Sequence, residues 1–220
     1  MKKIAVIGGG FGGIAAAIRL RAKGDQVTIY ERLSKLGGRA QVFERGGYMH
    51  DAGPTVITAP NLFYELFSLF GENLEDFLEF RPLDPWYRFH FHDQTEFDYG
   101  PDREKMLAQI KEISPEDVSG YFNMLKESEA IFKLGYEKLA GHPFGKLTTM
   151  LRYAPAIIKM KGYRSVYSFV SKHLKHPNLR QAFSIQPLLV GGNPFTTSSI
   201  YSLIHALEQK WGIFFCMGGT

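Results

Sequence analysis

The sequence predicts an α/β protein that opens with a strand–helix–strand unit and continues into a mixed, helix-rich region. Three observations support this fold class. Strand, helix and strand patterns follow one another over residues 3–7, 12–23 and 26–30. Two hairpins are predicted within residues 41–99, and the spacing of apolar residues is mostly helical over 142–210. The 220 residues, 45% hydrophobic and 22% charged, suffice for one large or two modest globular domains.

Glycines dominate the turn between the first strand and the helix. Gly8, Gly10 and Gly13 form the pattern G-x-G-x-x-G. The first glycine permits a tight turn, the second lets the backbone approach a pyrophosphate, and the third lets the helix pack closely on the strand. A pyrophosphate can then lie at the positive end of the helix dipole. The order of these elements predicts a Rossmann-like dinucleotide site.

A carboxylate follows the second strand at the position that such a site requires. Glu31 lies eighteen residues after Gly13 and can accept hydrogen bonds from an adenosine ribose. An acidic residue here disfavours a 2′-phosphate and therefore NADP. FAD and NAD both remain open on this criterion.

Two further segments are candidates for contact with the cofactor. Gly37, Gly38 and Arg39 form a second glycine pair followed by a guanidinium that can bind phosphate. Pro54 and Thr55 lie in an irregular loop that can present backbone amides to a ligand.

The remaining elements predict a domain boundary after residue 58, with a cofactor-binding unit over 1–58 and a substrate-binding, membrane-facing region over 59–220. The expected elements, in order, are a hairpin over 41–51 that turns at Gly46-Gly47, a helix over 60–70, a hairpin over 86–99 around Asp93-Gln94, a helix from Ser114-Pro115 to about Leu139, and later helices broken at Pro155, Gly162, Pro177 and 191–194.

Several site classes are not supported by the sequence. A single cysteine, Cys216, excludes an internal disulfide and a zinc site built on several thiolates, and it indicates a reducing compartment. The histidines, including His90 and His92, show no metal-ligand spacing, so no metal is predicted. The best apolar run, residues 4–18, is interrupted by glycines and is too short to span a bilayer.

Charge is distributed unevenly along the chain. Residues 138–207 contain nine of the 26 basic side chains and none of the 22 acidic ones. This basic block favours an anionic partner, such as a membrane surface or nucleic acid, although a solvated helical face is equally compatible. Because no reading helix or stacking motif accompanies it, nucleic acid is not the predicted partner.

Taken together, the motifs resemble those of the FAD-dependent carotenoid desaturase family, in particular its bacterial-type phytoene desaturases. The resemblance covers essentially the whole chain. The matching stretches are Ile4–Gly13, Gly37–Ala40, Asp51–Val56, Met150–Arg152 with Ala154-Pro155, Arg164–Tyr167, Leu188–Phe195, Ser198–Tyr201, His205–Glu208, Trp211-Gly212 and Gly218–Thr220.

The resemblance implies FAD as cofactor and stepwise desaturation of phytoene towards lycopene, with hydride passing from an allylic carbon to the flavin. It also implies a cytoplasmic enzyme at the inner membrane surface, with a quinone or oxygen as electron acceptor. Arg152 is the one catalytic candidate, for placing the flavin or aiding proton removal, and a lipid-facing arginine is an equal alternative. No general base is assigned.

The resemblance leaves the substrate and the activity open. A diapophytoene desaturase, a carotenoid ketolase or an isomerase shares these motifs, and a non-catalytic FAD-binding fragment is a further alternative. Because relatives continue well beyond Thr220, the chain resembles an amino-terminal portion whose domains are both incomplete. We therefore expect poor solubility and little activity from it alone.

Overall fold

The computed structural model describes residues 1–51, 53–138 and 147–219. Predictions that involve Ala52, Leu139, residues 142–146 and Thr220 lie outside the described residues. The strands and helices, in chain order, are β1 (Lys3–Ile7), α1 (Phe11–Ala22), β2 (Gln26–Tyr30), β3 (Val42–Arg45), β4 (Tyr48–Asp51), α2 (Asn61–Ser68), β5 (Phe80–Pro82), β6 (Tyr87–His90), β7 (Glu96–Tyr99), α3 (Arg103–Ile113), α4 (Asp117–Phe132), α5 (Leu147–Lys159), α6 (Val166–His173), α7 (Pro177–Ala182), α8 (Leu203–Trp211) and β8 (Phe214–Cys216).

The chain divides into two compact units. Unit 1 consists of Met1–Leu83 and Ile213–Thr220, and unit 2 consists of Asp84–Gly212. This division reflects the contacts within the folded chain, whereas the boundary expected after residue 58 separates a cofactor-binding part from a substrate-binding part. The functional boundary stays a prediction.

Unit 1 begins with the strand–helix–strand arrangement expected from the sequence. β1 and β2 pair in parallel, from Lys3 opposite Gln26 to Ile7 opposite Tyr30, and α1 connects them. Alternate residues of both strands are half-buried, which gives the sheet one covered face. On the other face Ile7 and Tyr30 are 81% and 58% exposed, although both faces of parallel sheets are usually covered.

The predicted hairpin of unit 1 is present, and a second strand pair was not predicted. β3 and β4 are antiparallel, and Gly46 and Gly47 form the turn with φ angles of 60° and 81°. β5 pairs with β8, with Phe80 opposite Cys216. Each strand of this pair has three residues, too few for a period-2 pattern to show.

Unit 2 packs a hairpin against helices. β6 and β7 pair antiparallel as predicted, and the guanidinium of Arg88 binds the carboxylate of Asp98 across them at 2.6 and 2.7 Å. α3 was not predicted, although Asp102 is a recognisable N-cap whose carboxylate accepts hydrogen bonds from the backbone of Glu104 and Lys105. α4 starts where expected and continues as a π-helix over Lys133–Lys138.

The prediction of a helix break at Pro155 was wrong, because α5 continues through this residue. A proline removes one hydrogen bond, here to the carbonyl of Leu151. Both residues are exposed, so water can solvate that carbonyl. The other breaks are present: Gly162 follows α5, Pro177 is the first residue of α7, and 191–194 separates helical segments. Within the described residues, no helix has both the length and the apolar character needed to span a bilayer.

Candidate cofactor-binding site

The first glycine turn lies at the carboxyl end of β1. Gly8 has a φ of +97°, and its N–H donates to the carbonyl of Tyr30 over 2.8 Å. Gly10 occupies the N-cap of α1 and contributes no side chain, and Ile14 N–H donates the first helical hydrogen bond to its carbonyl over 2.9 Å. The N–H groups of the first helical turn therefore point out of the helix end, where an anion can bind them.

Gly13 brings the helix onto this turn. A β-carbon at residue 13 would overlap the carbonyl oxygen of Gly8 and would lie 3.5 Å from Cγ1 of Val6. Only glycine allows the helix to approach the strand this closely. Gly12, one residue earlier, has no atom within 4 Å of its β-carbon position apart from its chain neighbours and the backbone of its own helix.

The second glycine pair contacts the first turn backbone to backbone. Gly37 N–H donates to the carbonyl of Gly9 over 2.8 Å. Gly38 has a φ of +61°, and a β-carbon there would lie 3.0 Å from the Cα of Gly10. The two glycine segments thus pack without side chains between them, which leaves backbone accessible to a ligand.

The third predicted segment packs on the second. A β-carbon at Gly53 would overlap the carbonyl oxygen of Arg39 and would lie 3.0 Å from the Cα of Ala40. Pro54 and Thr55 follow and are exposed, as is the Arg39 side chain. The fold thus groups the glycine, Arg39 and loop segments selected from the sequence.

Glu31 is held at the same turn by two backbone groups. Its Oε2 accepts a hydrogen bond from Gly9 N–H over 2.6 Å, and its Oε1 accepts one from Leu33 N–H over 2.8 Å. The hydrogen bonds from Leu33 and then Gly9 lower the pKa of this carboxyl below its ordinary value. Glu31 is therefore an ionised acceptor at neutral pH, placed beside the glycine turn.

Sequence reasoning missed Gly9 and Gly53 as structural parts of this site. Gly9 lies inside the G-x-G-x-x-G pattern at a variable position, but a β-carbon there would overlap Leu36 and lie 3.2 Å from Glu31 Oε2. Gly53 precedes the two loop residues that were selected. Neither requirement is visible in the spacing alone, because each depends on contact with another segment.

Two further chemically notable residues are Cys216 in unit 1 and Arg152 in unit 2. Cys216 is buried in β8, and burial together with the nearby Asp51 raises the pKa of its thiol. Arg152 is exposed on α5 in unit 2, with its guanidinium carbon 5.9 Å from the ring centre of Tyr153. No cluster of three or more potential metal ligands occurs among the residues that the structure describes.

The sequence profile of the flavin-containing amine oxidoreductases matches residues 11–220. The chain belongs to this family. The expectation of a flavin cofactor is thereby confirmed, and the residues present fit it: glycines without side chains of their own lie at a helix N-terminus, next to an ionised carboxylate.

Within the family, the chain is similar to carotenoid desaturases. It is 50% identical over 220 residues to the lycopene-forming phytoene desaturase of Pantoea ananas, covering 100% of this chain and 45% of the relative. It is 37% identical over 220 residues to the neurosporene-forming phytoene desaturase of Rhodobacter capsulatus, covering 100% of this chain and 42% of the relative. The chain thus spans less than half the length of these curated relatives.

Among solved structures, the chain resembles wild-type putrescine oxidase bound to putrescine. The TM-score is 0.63 at 15% identity, and the match covers 100% of this chain and 47% of that one. At this identity the likeness concerns the fold alone, and it confirms an α/β fold of the flavin amine oxidoreductase type.

Proposed function

We propose that this chain is part of an FAD-dependent carotenoid desaturase that converts phytoene towards lycopene. The observation that supports this most is the 50% identity over the whole chain to a lycopene-forming phytoene desaturase. The grouped glycine segments support the cofactor half of the proposal, because their close backbone contacts are of the kind that a dinucleotide requires.

We assign the cofactor contacts to residues of unit 1. The pyrophosphate of FAD binds at the first turn of α1, next to Gly8, Gly10 and Gly13, and Glu31 binds the adenosine ribose. The second contact segment supplies Gly37, Gly38 and Arg39, followed by Pro54 and Thr55. The chemistry that bound FAD supplies is two-electron oxidation of a carbon–carbon single bond to a double bond. We further propose that unit 1 is a Rossmann-like domain into which the helix-rich unit 2 is inserted, with residues 1–58 as the cofactor part and 59–220 as the substrate part.

The substrate of this reaction is a long hydrocarbon without a polar handle. Its position must come from an apolar channel, and proximity to the cofactor supplies much of the catalysis. Electrons leave to a quinone or to oxygen. Arg152 stays the one candidate for placing the flavin or aiding proton removal.

We propose that unit 2 contacts a membrane surface from the cytoplasmic side of the inner membrane. α5 exposes apolar side chains, with Leu151 65% and Ile158 63% accessible, beside the exposed cations of Lys159 and Lys161. Apolar groups that can enter the interface, next to cations that attract anionic headgroups, are typical of peripheral attachment. A hydrocarbon substrate dissolved in lipid would then reach the enzyme directly.

The proposal is tested by expressing the chain in cells that accumulate phytoene and analysing the extracted pigments. Conversion of phytoene to more unsaturated products, lost in Gly13→Ala and kept in Gly12→Ala, supports it. If the purified chain binds FAD but no product forms in these cells, it is a binding fragment without activity of its own. If it binds no flavin at all, the assignment of the cofactor site is wrong.

A related carotenoid oxidoreductase is the second candidate, and the 33% identity over 219 residues to the 4,4'-diapolycopen-4-al dehydrogenase of Metabacillus indicus favours keeping it. Relatives of this chain thus differ in their product. Pigment analysis in cells that accumulate diapophytoene or lycopene instead distinguishes a diapophytoene desaturase, a ketolase or an isomerase from a phytoene desaturase.

A further inference from the structure

Four polar side chains meet in the core of unit 2. They are Tyr99 on β7, Gln186, and His205 and Glu208 on α8. Each of these residues is at most 1% exposed. The Tyr99 hydroxyl donates to Oε2 of Glu208 over 2.8 Å and lies 3.3 Å from Nδ1 of His205. Nε2 of Gln186 lies 3.1 Å from the same Nδ1. The cofactor assignment, which concerns unit 1, gives this cluster no role.

The surroundings of the cluster are aromatic. The ring of Phe183 contacts Tyr99 and His205 at centroid distances of 5.4 and 5.9 Å, and Trp86 packs edge-on against Tyr99 at 5.4 Å. Oε1 of Glu208 has no hydrogen-bond partner within the described part of the chain. Burial outweighs the hydrogen bonds from Tyr99 and Gln186, which favour the ionised form, so a negative charge on this carboxyl would be poorly compensated.

Among the residues that the structure describes, no cation acts on the Glu208 carboxyl to offset such a charge. Of the described titratable groups outside the cluster, Tyr87 on β6 and Tyr121 on α4 act on its members, and Arg103 acts on Tyr121. Burial lowers the pKa of His205 to about 4, so the imidazole is neutral at neutral pH. Burial also raises the pKa of Glu208 to about 7.

We propose that Tyr99, Gln186, His205 and Glu208 form a proton-dependent clasp that joins β7 to α8, closed while the Glu208 carboxyl is neutral and loosened when it ionises. A neutral carboxyl keeps the hydrogen bond from Tyr99 without placing a net charge among the aromatic rings. Ionisation creates a buried charge that only local unfolding or water entry can solvate. Unit 2 thus contains a switch that opens as the pH rises towards neutrality.

The sign of the pH dependence follows from the two shifts. The pKa of Glu208 is raised from 4.5 to about 7. Its contribution to stability is therefore fully present below pH 4.5 and is lost as the pH rises through about 7. The pKa of His205 is lowered from 6.5 to about 4. Its contribution to stability is therefore present above pH 6.5 and is lost as the pH falls through about 4. The two dependences oppose each other between these limits, and the test must separate them.

Glu208→Gln separates the pH dependence of Glu208 from that of His205. The glutamine side chain has nearly the same shape as a neutral glutamic acid but cannot ionise. Both tryptophans, Trp86 and Trp211, lie in unit 2, so tryptophan fluorescence in urea reports on its unfolding. We expect the unfolding constant of the parent, divided by that of Glu208→Gln, to rise about tenfold per pH unit from about pH 5 to about pH 7 and then level off. A ratio that stays constant over this range would overturn the proposal.

Tyr99→Phe supplies a readout that a merely structural role would not move. The Tyr99 hydroxyl stabilises the ionised form of Glu208, so its removal should move the pH midpoint of the transition upward. An unmoved midpoint contradicts the clasp. Should Glu208→Gln fail to fold, infrared spectroscopy of the parent replaces it: a protonated carboxyl band present at about pH 6 and lost above about pH 8 supports the proposal, and its absence at about pH 6 overturns it.

Discussion

The carbonyl oxygen of Gly8 lies where a β-carbon of residue 13 would have to be. This contact holds the first turn of α1 against the end of β1, and it involves no side chain. The neighbouring Gly12 has open space at the same position, although both glycines belong to one helical turn. Substitution of each glycine in turn therefore distinguishes the effect of the close contact at Gly13 from the effect of losing a glycine in this turn.

Gly13→Ala should abolish flavin binding, because the overlap forces α1 away from the turn. Gly12→Ala should bind flavin nearly as the parent does and should be slightly more stable, by less than the roughly 1 kcal/mol by which alanine is favoured over glycine in a helix interior, because Gly12 lies in the first turn. The measurement is the flavin absorbance retained after gel filtration, alongside the circular dichroism of each variant. Equal retention by both variants would show that the close contact is not needed for binding.

Glu31→Gln should weaken FAD binding by about tenfold or more, because a charged acceptor for the ribose is replaced by a neutral one. The lowered pKa of Glu31 keeps the carboxylate ionised in mild acid, so the parent should hold FAD as the pH falls to about its ordinary value of 4.5 and lose this contribution only below it. Titration by flavin fluorescence at several pH values measures both effects. Glu44→Gln, at an exposed position on β3, is the control and should change neither.

Local elements were predictable from the sequence, and contacts between distant segments were not. The β1–α1–β2 unit and the Gly46-Gly47 hairpin depend on patterns within about thirty residues. The spacing of apolar residues and the residue types preferred in turns describe such patterns well. The pairing of Phe80 with Cys216 joins segments far apart along the chain. The contact between Gly10 and Gly38 is of the same kind: each glycine was selected as a cofactor contact, but only the fold shows that they touch.

The buried acid Glu208 shows a second limit of sequence reasoning. A glutamate two residues before a lysine at the end of a helix reads as solvated, because glutamate is rarely buried. Its burial follows from the packing of α8 within unit 2, where Tyr99 supplies the partner. Nothing in the local pattern signals that partner, since it lies on a distant strand.

Asp117 should be critical for the stability of unit 2. Its buried carboxylate accepts hydrogen bonds from the backbone N–H groups of Lys175 and His176 over 2.7 and 2.8 Å, which ties the start of α4 to the segment before α7. Asp117→Asn places an NH₂ donor against one of these donors and should cost about 2–3 kcal/mol of unfolding free energy, by urea denaturation. The adjacent Glu116→Gln removes only an exposed ion pair with Lys175 and should cost less than about 1 kcal/mol. Similar losses in both variants would contradict a special role for Asp117.

Binding to vesicles should separate the two parts of the proposed membrane contact. Lys159→Gln with Lys161→Gln should weaken sedimentation with phosphatidylglycerol vesicles by about thirtyfold at low salt, at roughly 1 kcal/mol for each cation, and should reduce the effect of added salt. Leu151→Ser with Ile158→Ser should weaken binding while the salt dependence remains, because the cations are intact. Lys111→Gln, an exposed cation on α3 outside the basic block, is the matched control. Binding that salt does not affect in the parent would show that lipid charge has no part in the contact.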